Sequence, residues 1–262
     1  MKKPESPPRL ALVGPMLGRR RGWVTNPGER LAGRFRSEGY VVRLTSTYPN
    51  RALRLADMLL SMAAWRNQVD VFILAVYSGR AFWLADLPAR LAHRLGIPLI
   101  YVLHGGDLPR FSQESPDWVR RVMGRADAIV SPSAFLAHHF QQWGGYDVRV
   151  IPNLLEVEQY AHRLRPSVRP RLLWMRTFED IYNPEMAVQA LKAMRATHPE
   201  ACLTMAGQDR GQLAVVQALA RAEGLEEQVR FAGFLDPADK QVVFDAHDIY
   251  LHTNRVDNAP VS

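Results

Sequence analysis

Residues 98–107, PLIYVLHGGD, are an apolar run that ends in a histidine and two glycines. The run has the length of a buried strand, and His104 follows it beside two residues that carry no Cβ atom. Ligands of parallel α/β sheets bind in the crevice outside the carboxyl ends of the strands. The position therefore favours a functional role for His104 over that of an ordinary core histidine.

Similar apolar runs recur on both sides of this stretch, with amphipathic segments between them, and this alternation predicts parallel sheets covered by helices. The first series of predicted strands is Leu10–Val13, Val41–Leu44, Val69–Val76, Pro98–Leu103, Ala128–Val130 and 148–153, with helices at Asn26–Glu38, Arg51–Arg66, Phe82–Leu95 and Pro116–Gly124. The second series is Leu172–Met175, Cys202–Ala206, Val229–Phe231 and Ile249–Thr253, with helices at Pro184–Thr197, Gln212–Glu223 and Pro237–Ala246. We therefore predict two doubly wound α/β domains, at 1–163 and 171–262, joined by a linker at 164–170.

Length and composition agree with two ordinary cores, because the chain has 262 residues of which 47% are apolar. Cys202 is the single cysteine, which excludes a disulfide framework or a cysteine-based metal site within one chain. A reducing, cytoplasmic setting is expected. The apolar run near the amino terminus is too short for a signal peptide, and no stretch approaches the length of a membrane span.

Positive charge is concentrated in the amino-terminal part of the chain. Residues 1–152 carry an excess of ten basic over acidic side chains, whereas the whole chain has a net charge of +7. Such a surface could attract phosphorylated substrates or anionic lipid headgroups. Of the 33 basic residues only four are lysines, so a compositional bias toward arginine explains the excess equally well. The arginines are dispersed and lack stacking aromatic residues, which argues against a nucleic-acid partner.

Several further residues sit where strands end. The first strand runs into a loop with glycines at every fourth position and three arginines, a composition that suits phosphate binding but is not the dinucleotide fingerprint. Arg176 ends the first strand of the second series and could clamp a diphosphate, unless it pairs with Glu179 or Asp180. Gly207 ends the next strand. Residues 254–262, NRVDNAPVS, form a polar loop with the carboxylate of Asp257.

Taken together, these motifs resemble the retaining family-4 glycosyltransferases of the GT-B fold over essentially the whole chain. The residues that carry the resemblance are the loop from Gly14 to Trp23, His104-Gly105-Gly106, Ser131-Pro132-Ser133, Val150-Ile151-Pro152-Asn153, Arg176, Gly207, 229–233 and Asp257-Asn258-Ala259-Pro260.

The resemblance implies a role for each motif. The loop with Gly14, Gly22 and Trp23 would face the acceptor and the donor phosphates, and His104 would contact the transferred sugar. Donor binding would fall to Arg176, Gly207, Phe231, Gly233, Asn258, Ala259 and Pro260, and Asp257 would take the first place in the family's signature of two acids. No cofactor and no metal is implied, because the nucleotide sugar is a substrate.

The chain departs from the family pattern in two places. The second cation of the diphosphate clamp, usually a lysine followed by glycine, has no clear counterpart in residues 178–184, FEDIYNP. The second acid of the signature would fall beyond Ser262. We therefore expect an incomplete donor domain and low activity.

The predicted function is transfer of a sugar, with retention, from a nucleotide-sugar donor to a lipid or glycan acceptor in cell-envelope polysaccharide or glycolipid synthesis, at the inner face of the membrane. Two other readings stay open at this point. One is a binding module without catalytic activity that docks on anionic membrane, and the other is a nucleotide-sugar epimerase of related architecture.

Overall fold

The structure, a computed structural model, describes residues 7–18, 26–155 and 164–259. These residues fall into two compact units. The first contains 7–18, 26–155 and 257–259, and the second contains 164–256. A short segment near the end of the chain thus belongs to the first unit.

The first unit alternates strands and helices. Its strands are β1 (Leu10–Val13), β2 (Val42–Thr45), β3 (Val71–Val76), β4 (Leu99–Leu103), β5 (Ala128–Ser131) and β6 (Val148–Val150). Its helices are α1 (Pro27–Ser37), α2 (Arg51–Ala64), α3 (Trp83–Leu95), α4 (Leu108–Glu114), α5 (Pro116–Met123) and α6 (Ala134–Gly144). All strand pairs in this unit are parallel, in the order β2-β1-β3-β4-β5-β6.

The strand β1, which lies between β2 and β3, explains why this sheet is covered on both faces. Successive side chains of a strand point to opposite faces. Ala11 and Val13 belong to one buried cluster, whereas Leu10 and Leu12 belong to another. A strand of four apolar residues, all buried, therefore needs a layer of helices on each side.

Three helices of this unit, α1, α2 and α6, begin at capping residues that the sequence supplies. Asn26 caps α1 in a capping box with Glu29, Asn50 caps α2, and Ser133 caps α6. These caps fix the connecting loops at the carboxyl ends of the strands.

The second unit has the strands β7 (Arg171–Met175), β8 (Cys202–Ala206), β9 (Val229–Gly233) and β10 (Ile249–Tyr250), and the helices α7 (Pro184–Arg195), α8 (Leu213–Ala222) and α9 (Pro237–Ala246). Its sheet has the order β10-β7-β8-β9 and is parallel. Buried Leu172, Trp174 and Leu203 pack with α7 and α8 in one cluster. The predicted α/β class with two parallel sheets is confirmed.

The last strand is shorter than the predicted Ile249–Thr253, because only Ile249 and Tyr250 pair as a strand. Thr253 instead makes hydrogen bonds through its side chain. Its hydroxyl accepts a hydrogen bond from Trp174 Nε1 at 2.9 Å and donates one to the carbonyl of Tyr182 at 2.7 Å. Since Trp174 is buried, these bonds hold the loop after β10 against the core.

Two helices were not predicted. Between β4 and β5 the chain forms α4 before α5, and α6 follows β5. The end of α6 is marked by Gly145, whose positive φ of 69° is a left-handed conformation that glycine adopts without strain. The domain limits at 163, 164–170 and 171 stay predictions.

Candidate functional site

In the first unit, the strand order places a crevice at the carboxyl ends of β1 and β3. The chain winds outward from β1 in one direction to β2 and in the other to β3, and ligands of open α/β sheets bind where this direction changes. Gly14 follows β1, Tyr77 follows β3, and His104 follows β4. The structure thus places two predicted site residues, and one aromatic residue that was not predicted, along the same edge.

Gly14 lies where two strands pass close to each other. Its N–H donates to the carbonyl of Thr45 at 2.7 Å, and a Cβ atom added to it would come within 3.1 Å of the Cβ of Ala75. Farther along the loop, the Glu29 carboxylate accepts hydrogen bonds from the N–H groups of Gly18 and Asn26 at 3.0 Å each. Two backbone N–H groups near the start of α1 are therefore already bonded to the Glu29 carboxylate. Gly22 and Trp23 lie outside the described residues.

The imidazole of His104 stacks on the ring of Tyr77. The ring centroids are 5.7 Å apart and the planes are inclined by 24°. Burial lowers the pKa of His104 to about 4 and raises the pKa of Tyr77 to about 12, although Arg54 partly offsets the latter. Both rings are consequently neutral at pH 7, so His104 offers one hydrogen-bond donor and one acceptor.

The segment 257–259 packs against the carboxyl ends of β4, β5 and β6. Asn258 Nδ2 donates to the carbonyl of Leu103 at 3.1 Å, and its Oδ1 accepts a hydrogen bond from the hydroxyl of Ser133. Asn153 Nδ2 donates to the carbonyl of Ala259 at 3.1 Å. The structure therefore brings Asp257, Asn258 and Ala259 to the same edge of the sheet as His104. Pro260 lies outside the described residues.

In the second unit the change of direction falls between β10 and β7, where Arg176 follows β7. The Arg176 N–H donates to the carbonyl of Ala206 at 3.1 Å, and its guanidinium carbon lies 4.7 Å from the centroid of the Tyr182 ring. Such a cation–π contact holds the guanidinium in place without neutralising it. The acids Glu179 and Asp180 bind the arginines Arg210 and Arg255.

Gly207, at the end of β8, has no room for a side chain. Its φ is 152°, and an added Cβ would lie 1.7 Å from the carbonyl oxygen of Arg176. Its N–H donates to the carbonyl of Gly233 at 2.8 Å. The ring of Phe231 faces inward, toward the buried Phe178 at 6.2 Å between centroids, whereas Gly233 is exposed. The backbone at Gly233 is thus exposed, whereas the Phe231 ring is half-buried.

His252 follows β10 and was not predicted as a site residue. Partial burial and, to a lesser extent, the nearby charge of Arg176 lower its pKa. No positional signal marked it, because the predicted strand Ile249–Thr253 contains His252. Tyr77, by contrast, directly follows its strand and could have been found in this way.

The described residues, 7–18, 26–155 and 164–259, contain no group of three histidine, cysteine, aspartate or glutamate side chains arranged to hold a metal ion. Among the helices of those same ranges, none is both long and apolar enough to cross a bilayer.

Two protein families match the chain. One, described as Glycosyltransferase Family 4, matches residues 21–159, and the other, described as Glycosyl transferases group 1, matches residues 159–262. A search of curated proteins gave no match.

Solved structures share the fold at low sequence identity. The apo form of the lipopolysaccharide outer core galactosyltransferase WaaB has a TM-score of 0.58 and 14% identity, over 94% of this chain and 74% of its own. The catalytic domain of Starch Synthase IV from Arabidopsis thaliana, bound to ADP and acarbose, has a TM-score of 0.66 and 9% identity, over 96% and 79%. The pneumococcal O-GlcNAc transferase GtfA, in complex with UDP and GlcNAc, has a TM-score of 0.57 and 12% identity. The match with GtfA covers 78% of this chain but 41% of that protein, so the chain spans less than half the length of that relative.

Proposed function

Because the chain belongs to glycosyltransferase family 4, whose match covers residues 21–159, we propose that it transfers a sugar from a nucleotide-sugar donor to a lipid or glycan acceptor. The anomeric configuration is retained and no metal ion takes part. The observation that carries the proposal is this family match. It is supported by Arg176, which follows β7 where the second sheet changes direction, and by His104, which follows β4 at the carboxyl edge of the first sheet.

The leaving group is the nucleoside diphosphate, whose negative charge grows as its bond to the anomeric carbon breaks. Arg176 stabilises that charge, since its guanidinium is held by the Tyr182 ring and can bind two phosphate oxygens. Gly207 follows β8 and Gly233 ends β9 at the same edge of the second sheet, and the nucleotide lies against the backbone there in our proposal. Stabilisation by fixed charges and dipoles of this kind is the main catalytic contribution.

The transferred sugar is held by His104 and Asp257. The neutral imidazole of His104 donates or accepts one hydrogen bond with a sugar hydroxyl, and the Asp257 carboxylate accepts from others. The acceptor hydroxyl then forms its bond to the anomeric carbon on the face from which the diphosphate leaves, and its proton departs with the leaving group. This geometry accounts for retention.

The proposal is tested by incubating the chain with UDP-glucose, UDP-galactose, UDP-N-acetylglucosamine or ADP-glucose, and with lipid extracts as acceptors. We expect radiolabelled sugar to enter the lipid fraction, at a rate that EDTA does not change. The anomeric proton coupling in the product reports retention. Conversion of the donor into a different sugar without any acceptor would instead identify an epimerase.

Arg176→Ala is the site variant for this test, and we expect it to weaken UDP binding at least tenfold, as measured by calorimetry. Arg195→Ala is the matched control. Arg195 lies at the end of α7 and donates to the carbonyl of Ala201, next to the amino end of β8. If both variants bind UDP as the unaltered chain does, Arg176 is not part of the donor site.

We propose that an anionic membrane surface is the second partner of the chain. The exposed face of α2 carries an apolar stripe in which Leu53 and Leu60 are 56% and 72% exposed, with Ala56 between them. The excess of ten positive charges in residues 1–152 adds attraction to acidic headgroups. Leu53→Ser combined with Leu60→Ser should abolish flotation with vesicles of phosphatidylglycerol at low salt, and an unchanged flotation would contradict this role.

A further inference from the structure

Asn258 uses both ends of its side-chain amide to join two strands of the first sheet. Nδ2 donates to the carbonyl of Leu103, the last residue of β4, at 3.1 Å. Oδ1 accepts from the hydroxyl of Ser133, which caps α6 directly after β5. The residue after Leu103 is His104, so one side chain links the segment 257–259 to the histidine loop.

Two further contacts fix the backbone on either side of Asn258. Gly106 lies under the peptide that joins Asp257 and Asn258, and a Cβ atom at position 106 would come within 3.0 Å of the Asp257 carbonyl carbon. On the other side, the carbonyl of Ala259 accepts from Asn153 Nδ2 at 3.1 Å. Three consecutive residues are thus held by the ends of β4, β5 and β6.

We propose that Asn258 is a positioning residue that holds the Asp257 carboxylate at the donor sugar. This inference rests on the proposed function, in which Asp257 binds the transferred sugar. Asn258 touches protein groups through its amide and acts through its neighbour. Asp257 in turn accepts from the N–H of Asn258 at 2.8 Å, so the orientation of the carboxylate depends on where the Asn258 backbone lies.

The chemistry of the two amide contacts requires asparagine. An aspartate at 258 has the same shape but no N–H donor, and one of its oxygens would face the carbonyl of Leu103. Alanine removes both bonds. Asn258→Asp therefore tests the bond to Leu103 with almost no change in volume, whereas Asn258→Ala tests the whole link.

Ser133 gives an independent test of the same link. Ser133→Ala removes both the donor to Asn258 and the side-chain cap of α6, whereas Ser133→Thr keeps a hydroxyl group for both and should restore function. The control variant is Asp127→Asn. Asp127 accepts from the N–H of Leu99 at 2.8 Å, at the amino end of β4, away from the segment 257–259.

The experiment measures two quantities on each variant of the full chain. Calorimetry gives the affinity for UDP, and hydrolysis of UDP-glucose, UDP-galactose and UDP-N-acetylglucosamine in the absence of acceptor gives kcat and KM. We expect Asn258→Asp and Ser133→Ala to lower kcat about tenfold, which corresponds to the loss of one or two hydrogen bonds. In both variants the affinity for UDP should stay within about twofold of that of the unaltered chain. For Asp127→Asn and Ser133→Thr, kcat, KM and the affinity for UDP should all stay within that range.

Hydrogen exchange of the peptide that contains residues 257–259 supplies a second readout. This measurement needs no nucleotide sugar. Faster exchange of the peptide in Asn258→Asp than in Asp127→Asn supports the link between Asn258 and the ends of β4 and β5. Unchanged exchange together with unchanged kcat overturns the positioning role. Failure of the unaltered chain to bind UDP or hydrolyse any of the three donors would instead contradict the proposed function, so the two failures are distinguishable.

Discussion

Gly207 has no room for a side chain, because an added Cβ would lie 1.7 Å from the carbonyl oxygen of Arg176. We predict that Gly207→Ala displaces the loop that carries Arg176. It should lower the free energy of unfolding by at least about 2 kcal/mol and weaken UDP binding. Chemical denaturation and calorimetry measure the two effects.

Gly224→Ala is the control for that substitution. Gly224 also has a positive φ, of 66°, but no atom lies within 4 Å of an added Cβ. Gly224→Ala should lower the free energy of unfolding by only about 1 kcal/mol, because alanine is strained in the left-handed conformation. It should leave the affinity for UDP unchanged. Equal losses of affinity in the two variants would contradict the role given to the close contact.

His104 makes the stability of the first unit depend on pH. Its pKa is about 4 when folded, against an ordinary value of 6.5, so between these values the unfolded chain binds the extra proton. Stability should therefore decrease as the pH falls from 7 to 5. This one residue contributes about 2 kcal/mol to the change.

Denaturation of His104→Gln at pH 7 and at pH 5 checks this prediction. The stability of the variant should decrease less between these pH values than that of the unaltered chain. His138→Gln, at an exposed position on α6, should keep the full decrease. A His104 resonance in proton NMR that titrates near pH 6.5 would show that folding does not shift its pKa, and it would contradict this prediction.

At the scale of single elements, α3 depends on a buried carboxylate. Asp86 is fully buried and accepts from Arg90 and Arg125 at 2.9 Å each, and from Trp118 Nε1 at 2.8 Å. Burial by itself would raise the pKa of Asp86, but the hydrogen bonds from Arg90 and Trp118 and the charges of Arg90 and Arg125 outweigh it and lower the pKa.

We predict that Asp86→Asn destabilises the first unit by about 3 kcal/mol, because it leaves two arginines without their common counter-charge. Urea denaturation followed by tryptophan fluorescence measures the loss. Glu38→Gln is the matched control, since Glu38 pairs with Arg34 on an exposed surface of α1. That variant should change stability by less than about 0.5 kcal/mol, and a similar loss in both would contradict the assignment.

Most strands and their order along the chain followed from apolar runs, because a strand covered on both faces must be apolar throughout. The helices α4 and α6 were not predicted from the sequence. The seven residues of α4 are too few to show a helical period, and α6 has the sequence AFLAHHFQQWG, whose polar centre hides its buried face. Its signals were the cap at Ser133 and the glycine at 145.

The candidate site was predictable only in part, for a physical reason. Arg176, Gly207 and His104 stand directly after strands, so strand prediction places them. The partners of Asn258 lie 125 and 155 residues away in sequence, and no local pattern specifies such contacts. Tyr77 could have been found, because it stands where His104 does, one strand earlier.

The proposed nucleotide contacts all belong to one of the two units. Arg176, Gly207, Phe231 and Gly233 all lie within 164–256, whereas His104 and Asp257 belong to the first unit. A nucleotide without a sugar should therefore interact mainly with the second unit. Ligand binding stabilises whatever part of the protein holds the ligand.

UDP at a hundred times its dissociation constant should stabilise that unit by about 2.7 kcal/mol. In hydrogen exchange, peptides from β7 and β8 should then exchange about a hundredfold more slowly wherever exchange requires unfolding of the unit. Peptides from α3 and β3 should be unaffected. At the same UDP concentration, Arg176→Ala should lower this protection by at least about tenfold, and Arg195→Ala should keep it. Equal protection of α3 and β7 would mean that the nucleotide is held by residues of the first unit as well, and Arg176 would then not be sufficient to explain its binding.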